Sequence, residues 1–253
     1  MIDVHCHLVY DVDDGSRNKE ETIIMLEEAK RAGFTDIILT PHYMQNYYME
    51  PSAKIKEKID TFYEDAKNIG INLYQGNEIY ATRDIVDLIK NNETACLNES
   101  RYVLFELPMQ DIPINLDEII YLLLENKYIP IIAHPERYKY VQENPNILIE
   151  YIEKGVLFQS NFGSIVGVYG NSIKDTVKKL LTHNMIHFLG SDTHRPNTIY
   201  SAMPEIITNL NKLIGKAKQE ELTTVNPMNI LKNKEIEVDT PETIKKSLFN
   251  FWK

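Results

Sequence analysis

Cysteine is nearly missing from this chain: Cys6 and Cys96 are the two in 253 residues. That is too few for a disulfide framework, so a reducing compartment is expected. Long apolar runs are missing too, and no stretch reaches the roughly 18 residues that cross a bilayer. The opening MIDVHCHLVYDVDDG has neither a basic leader nor an apolar core of signal-peptide length, which makes the cytoplasm the expected location. Positive charge is in deficit, with Lys+Arg 27 against Asp+Glu 37 and a net charge of -10. Broad binding to nucleic acid or to an anionic membrane lacks the basic footprint it needs. A phosphate substrate stays open, because bound metal reverses the local field. Several chemistries lose their usual motifs: there is no G-x-x-x-x-G-K-[ST] loop, no G-x-S-x-G elbow and no G-x-G-x-x-G fingerprint. A cysteine phosphatase would need Cys-x5-Arg, but the corresponding positions after Cys6 and Cys96 are Val12 and Tyr102.

What is present is the composition of an ordinary globular protein, 43% hydrophobic and 25% charged. Short β-branched runs alternate with stretches of helical periodicity, the pattern of repeated βα units around a parallel sheet. Strands are predicted at Ile2 to His5, Asp36 to Thr40, Asn72 to Gly76, Tyr102 to Glu106, Ile129 to His134, Val156 to Ser160 and Ile186 to Gly190. Helices are predicted over Lys19 to Ala32, Pro51 to Ile69, Ile114 to Asn126, Pro145 to Lys154 and Ser172 to His183, with Gly33, Gly70 and Gly155 placed as C-cap glycines. From Tyr200 onward the pattern is helical with a break at Asn226-Pro227, and Lys245 to Lys253 reads as a tail. No repeat, low-complexity tract or linker divides the chain, so a single domain over residues 1–253 is expected.

The informative residues are those that end the strands, where a parallel barrel gathers its reactive groups. The first strand runs into His5-Cys6-His7 and then Asp13-Asp14-Gly15, the second into Pro41-His42, the third into Asn77-Glu78, and the fourth ends at Glu106. The fifth ends at His134 and the seventh gives Asp192-Thr193-His194, while the sixth, ending near Gln159-Ser160-Asn161, has no histidine or acid. Five of the seven histidines fall at these positions; His183 and His187 do not. A lone strand-end histidine is an ordinary hydrogen-bonded residue. Five beside four acids are not, since crowded carboxylates without a cation would repel and raise one another's pKa. Residues two apart on a strand face the same way, so His5 and His7 form a chelating pair and Cys6 faces the other side. Mixed imidazole and carboxylate donors suit Mn, Fe or Zn better than Ca or Mg, and nine candidates imply two or three ions.

The segments Met1 to His7, Asp13-Asp14-Gly15, Thr40-Pro41-His42, Gly76-Asn77-Glu78, Phe105-Glu106, Ala133-His134-Pro135-Glu136-Arg137 and Gly190 to His194 together resemble the PHP (polymerase and histidinol phosphatase) metallohydrolases. Within them the chain is similar to the bacterial tyrosine phosphatases of capsule and exopolysaccharide operons. The resemblance spans roughly residues 1–200. It implies a distorted (βα)7 TIM-like barrel with up to three ions, usually manganese, that dephosphorylates a membrane-associated tyrosine autokinase. It implies His5, His7, Glu78 and Asp192 on one ion, Glu78 bridging to a second held by Glu106 and His134, and Asp14, His42 and His194 on the third. Asp13 is expected in an exposed loop or behind the ligands. Arg137 matches a phosphate-gripping arginine of the family. Arg195 is the second candidate for gripping the phosphate, although it directly follows His194, where the family usually has a longer stretch before its Arg-Pro.

The expected activity is phosphoric monoester hydrolysis of phosphotyrosine by a hydroxide held between two ions, because metal binding brings the pKa of water from about 16 to about 7. Phenolate leaves readily, and His42 or His194 supplies a proton if the third site is empty. The alternatives are a small-molecule PHP phosphatase such as a histidinol phosphatase, a TatD-like nuclease with a similar opening motif, an amidohydrolase, and a PHP-like module kept for binding. The Tyr47-Tyr48 pair with Met44 and Met49 is a candidate wall for an aromatic ring, or simple loop packing.

Overall fold

The computed structural model describes residues 1–245. Among them lie nine strands: β1 (Ile2–Asp3), β2 (Asp36–Leu39), β3 (His42–Tyr43), β4 (Asn72–Gln75), β5 (Glu78–Tyr80), β6 (Tyr102–Glu106), β7 (Ile129–Ala133), β8 (Leu157–Asn161) and β9 (Phe188–Gly190). All pair in parallel, in the orders β1-β2-β4 and β3-β5-β6-β7-β8-β9. Seven of them are the strands read from the sequence. The other two, β3 and β5, place His42 and Glu78 on resumed strand rather than in loops. The interruptions have local causes: Pro41 brings no N–H to the ladder, and at Gly76 an added Cβ would lie 2.7 Å from Leu97 Cδ2 and 3.2 Å from Ile38 Cγ2.

The sheet curls until its last segment meets its first. Cys6 and Thr193 form a parallel bridge, His7 N donates to Thr193 O at 3.0 Å and Asp192 N to His5 O at 2.8 Å. Strand alternation then sorts the core into two layers. Ile37, Leu39, Val103, Phe105, Ile132 and Phe158 pack outward against the helices. Ile2, Val4, Ile38, Leu104, Ile131, Leu157 and Phe188 form the inner layer.

Eleven α-helices surround the sheet among the described residues. α1 (Lys19–Arg31) begins at Asn18, whose side chain accepts from Glu21 N at 2.9 Å, and it buries Met25, Leu26 and Ala29. The helix expected over 51–69 is two, α2 (Ser52–Asp60) and α3 (Tyr63–Ile69). At the break the Thr61 hydroxyl takes the Lys58 carbonyl at 2.7 Å, and Lys19 Nζ takes the Thr61 carbonyl at 2.7 Å. There follow α4 (Ile85–Lys90), α5 (Leu116–Glu125), α6 (Lys139–Glu143), α7 (Ile147–Glu153), α8 (Phe162–Val166), α9 (Asn171–Thr182), α10 (Ile199–Glu220) and α11 (Asn226–Leu231).

The break expected at Asn226-Pro227 is a correction. A π-helical turn, Glu221–Val225, carries the chain from α10 into α11, and Pro227 falls in a first turn, where no N–H is required. The irregularity lies instead at Gly215, with φ 78 and ψ 161. α11 closes the end where the strands begin: Ile230 joins the inner core, Asn226 Nδ2 donates to His187 O at 3.0 Å, and Asn98 Nδ2 donates to Leu231 O at 3.1 Å. No helix among the described residues is long and apolar enough to cross a membrane. The expected tail, Lys245 to Lys253, lies outside the described residues except for Lys245.

Candidate metal centre

At the opposite end, where the strands finish, the structure brings together all nine side chains singled out from the sequence. Their donor atoms fall into three overlapping groups: His5, His7 and Asp192; His42, Glu78 and Glu106; and His7, Asp14, His42 and His194. His134 joins through Nε2, 2.9 Å from Glu78 Oε1 and 3.7 Å from Glu106 Oε2. Glu78 is central and fully buried. Its Oε2 lies 3.2 Å from His5 Nε2, 3.5 Å from His7 Nε2 and 3.0 Å from His42 Nδ1. The grouping is more shared than the expected one. His7 faces two groups, and His42 turns Nδ1 to Glu78 and Nε2 to Asp14 Oδ1 at 3.6 Å.

Local backbone aims these groups. His134 (φ 36) and Asp192 (φ 49) sit in the left-handed region just past their strands, a conformation costing a bulky residue roughly 1–2 kcal/mol. Such strain persists where the surroundings impose it, as at functional sites. Gly15 lets the Asp13–Asp14 loop fold back over the first strand, since a Cβ there would collide with the His7 carbonyl and lie 2.6 Å from His7 Cβ.

The donor set fits divalent cations. Glu78 Oε2 is buried with no hydrogen-bond partner, although it is surrounded by imidazole nitrogens, and a buried carboxylate oxygen in that state calls for a cation. Electrostatics agree. Burial pulls the His5 imidazole down, but Glu78 and Asp192 outweigh it and hold the ring protonated up to about 9. Burial likewise pushes Glu78 and Asp192 up, and the surrounding imidazoles overcome it and keep both well below the usual carboxylate range. Of the carboxylates expected to raise one another, Glu106 alone follows the expectation, through burial and the nearby Glu78. The others lie interleaved with imidazoles. Protons on those rings occupy the place of metal charge, and a cation expels them.

Residues behind the cluster hold its side chains in place. Asp13, expected to matter less than Asp14, accepts from His7 Nδ1 at 2.8 Å and from His42 N at 2.9 Å, so His7 turns Nε2 into the cluster. Gln159 Oε1 faces His5 Nδ1 at 2.7 Å, and Asn161 Nδ2 donates to Asp192 Oδ2 at 2.6 Å. The Glu136 carboxylate accepts from Ser160 Oγ, Asn161 N and Ser164 Oγ at 2.7, 2.8 and 2.7 Å. No role for Gln159, Asn161 or Glu136 was evident in the sequence: Gln159 and Asn161 showed only polar character in β8, a strand without histidine or acid, and Glu136 stood out only as part of the Ala133 to Arg137 segment.

Arg137 Nη1 donates to Asp192 Oδ2 at 2.8 Å, and its guanidinium lies 5.2 Å from the Tyr169 ring centre. Arg195 turns elsewhere: its Nη1 donates to the carbonyls of Asp14, Gly15 and His194. Tyr48 stacks against His42 at 5.8 Å, while Tyr47 is 77% exposed. Cys6 faces the outer core, with Sγ 3.6 Å from Ile38 O.

Fold and cluster define a class: a parallel α/β protein with a candidate polynuclear metal site at the carboxyl ends of its strands. Residues 1–232 match the CpsB/CapC family of capsular polysaccharide synthesis, and the chain belongs to that family. It is 38% identical over 245 residues to a CapC protein of Staphylococcus aureus, covering 95% of each chain. With the tyrosine-protein phosphatase YwqE of Bacillus subtilis it shares 32% over 255 residues, the full length of both. A crystal structure of the metal-dependent tyrosine phosphatases YwqE from Bacillus subtilis and CpsB from Streptococcus pneumoniae matches 97% of this chain and 100% of its own, at a TM-score of 0.91 and 32% identity.

Proposed function

We propose that this chain is a metal-dependent protein-tyrosine phosphatase. It is read as one PHP-type (βα)7 domain spanning residues 1–253, with Lys245 to Lys253 as a tail. The observation that carries the reading is the convergence of five imidazoles and four carboxylates at the strand ends, in a chain matched end to end by a tyrosine phosphatase. Manganese is the preferred metal, with iron or zinc as substitutes. The substrate is a phosphotyrosine protein, a membrane-associated tyrosine autokinase of capsule or exopolysaccharide synthesis, met from the cytoplasm.

His5, His7, Glu78 and Asp192 would hold one ion, Glu78, Glu106 and His134 a second, and Asp14, His42 and His194 a third. Bound there, such ions supply Lewis acidity toward phosphoryl oxygens and make water acidic enough to attack phosphorus. Arg137, fixed by Asp192 and Tyr169, directs its remaining N–H groups at the non-bridging oxygens and stabilises the charge that develops on them. Tyr48 offers a flat wall for the substrate ring. Phenolate, with a pKa near 10, leaves without strong acid assistance. The Nε2 atoms of His194 and His42 lie 3.3 and 3.6 Å from Asp14 Oδ1, and with no third ion either ring, in its imidazolium form, would pass a proton to the leaving oxygen and be left neutral. Arg195 we assign to holding the Asp14 loop, in keeping with its three carbonyl contacts.

The test is hydrolysis of a phosphotyrosyl peptide by metal-stripped and manganese-reloaded protein, with histidinol phosphate as the competing substrate and elemental analysis of the purified chain. Activity on the peptide that disappears on stripping and returns with manganese is expected. Near-normal turnover after stripping, or a preference for histidinol phosphate, overturns the proposal.

A further inference from the structure

We propose that Gln159 is a positioning residue that fixes which nitrogen of His5 faces the metal, as the last link of a relay of hydrogen bonds that begins at Asp192. The inference rests on the metal-dependent reading of the cluster and adds a role for β8, whose end supplies neither a histidine nor an acid.

The polarity of the relay follows from its first member. Asp192 Oδ2 accepts from the Arg137 guanidinium at 2.8 Å, and the Asn161 group 2.6 Å from the same oxygen is its amide nitrogen. Asn161 must then present Oδ1 on its other side, where it accepts from Gln159 Nε2 at 3.0 Å. The second Nε2 proton goes to Ser160 O at 2.8 Å. Both Gln159 N–H groups are used, and the atom left to face His5 Nδ1 at 2.7 Å is Oε1. A flipped Gln159 amide would set its oxygen against two other oxygens. His5 Nδ1 is therefore the nitrogen that keeps its proton, and Nε2, on the side of Glu78 and Asp192 at 3.2 and 3.6 Å, is the one that gives up its proton and offers a lone pair when a cation binds. A metal-bound histidine is oriented by what its other nitrogen meets.

Burial and shape give this chain of bonds its rigidity. Gln159, Asn161 and His5 are all fully buried, so no water stands in for a lost partner. On the neighbouring strand Gly190 leaves the room the relay needs: a Cβ there would lie 2.7 Å from His5 Cβ and 2.9 Å from Gln159 Nε2. Glu136 pins the Asn161 backbone from behind, at 2.8 Å.

Two measurements on the whole protein decide the matter. In the zinc-loaded wild type, imidazole nitrogen NMR is expected to show His5 protonated at Nδ1 and coordinated through Nε2; coordination through Nδ1 overturns the proposal without any variant. Calorimetric titration of manganese into metal-free Gln159→Met, which keeps the side chain's length and removes its polar atoms, is expected to show affinity weakened by about 10- to 100-fold. Affinity equal to that of the wild type in a folded variant overturns the proposal. Neither readout involves substrate. A wild-type protein that binds manganese but leaves phosphotyrosine intact sinks the proposed function and not this inference.

Discussion

Glu136 is the place to test whether the site is held from behind. Its carboxylate accepts three buried donors, with Asn161 N and Ser164 Oγ on Oε1 and Ser160 Oγ on Oε2. Glu136→Ala leaves all three donors without their acceptor. The Asn161 N–H is fixed by the pairing of β8 with β9 and cannot turn, so its orphaning costs about 1–3 kcal/mol. The two hydroxyls can rotate toward other acceptors and lose about 0.5–1.5 kcal/mol each. The sum is about 2–6 kcal/mol, a large share of the roughly 5–15 kcal/mol that keeps a domain folded. Glu136→Gln retains Oε1 for two of the donors and asks only Ser160 to reverse its hydroxyl, so a loss of about 1–2 kcal/mol is expected. Urea unfolding of the metal-stripped proteins, with the denaturant slope checked for constancy, measures both. A Glu136→Ala protein within about 1 kcal/mol of wild type, or a glutamine variant as damaged as the alanine one, refutes the reasoning.

Other outcomes are equally open to measurement. His5→Ala or His134→Ala is expected to lower aryl phosphate turnover by at least about a hundredfold and to reduce bound metal, read by steady-state kinetics and elemental analysis. Cys6→Ser is expected to keep most of the activity, since the thiol lies in the outer core; inactivity with normal folding and metal content would place it in the site after all. Burial, and then the positive charge of Lys218, pull the His187 imidazole down to about 3, so the folded protein keeps it neutral. An unfolded chain takes up that proton below about 6.5. Its contribution to stability is thus complete above about pH 6.5 and is lost at about 1.4 kcal/mol per unit as pH falls toward 3. His187→Gln should flatten this part of the stability curve, measured by denaturation between about pH 6.5 and 4.

Much of the candidate cluster was legible because parallel strands end at one rim, so that a histidine or acid closing each of several strands marks a common place. The supporting residues were far less so. Asp13 read as a loop acid because nothing local shows that His7 and His42 both lean on it. Gln159 and Asn161 look like ordinary strand polar residues until His5 and Asp192, distant in sequence, are brought beside them. His42 and Glu78 were expected past the ends of strands, since Pro41 and Gly76 read as terminators; parallel neighbours supply enough pairing for each strand to resume. The π turn before α11 had no local signal either, because it depends on packing beneath the inner core.

α11 caps the barrel floor, and the apolar layer between it and the strand-end histidines and acids is packed with side chains. Whatever meets those histidines and acids therefore arrives from the rim they share, and changes to α11 are felt there only through the packing in between.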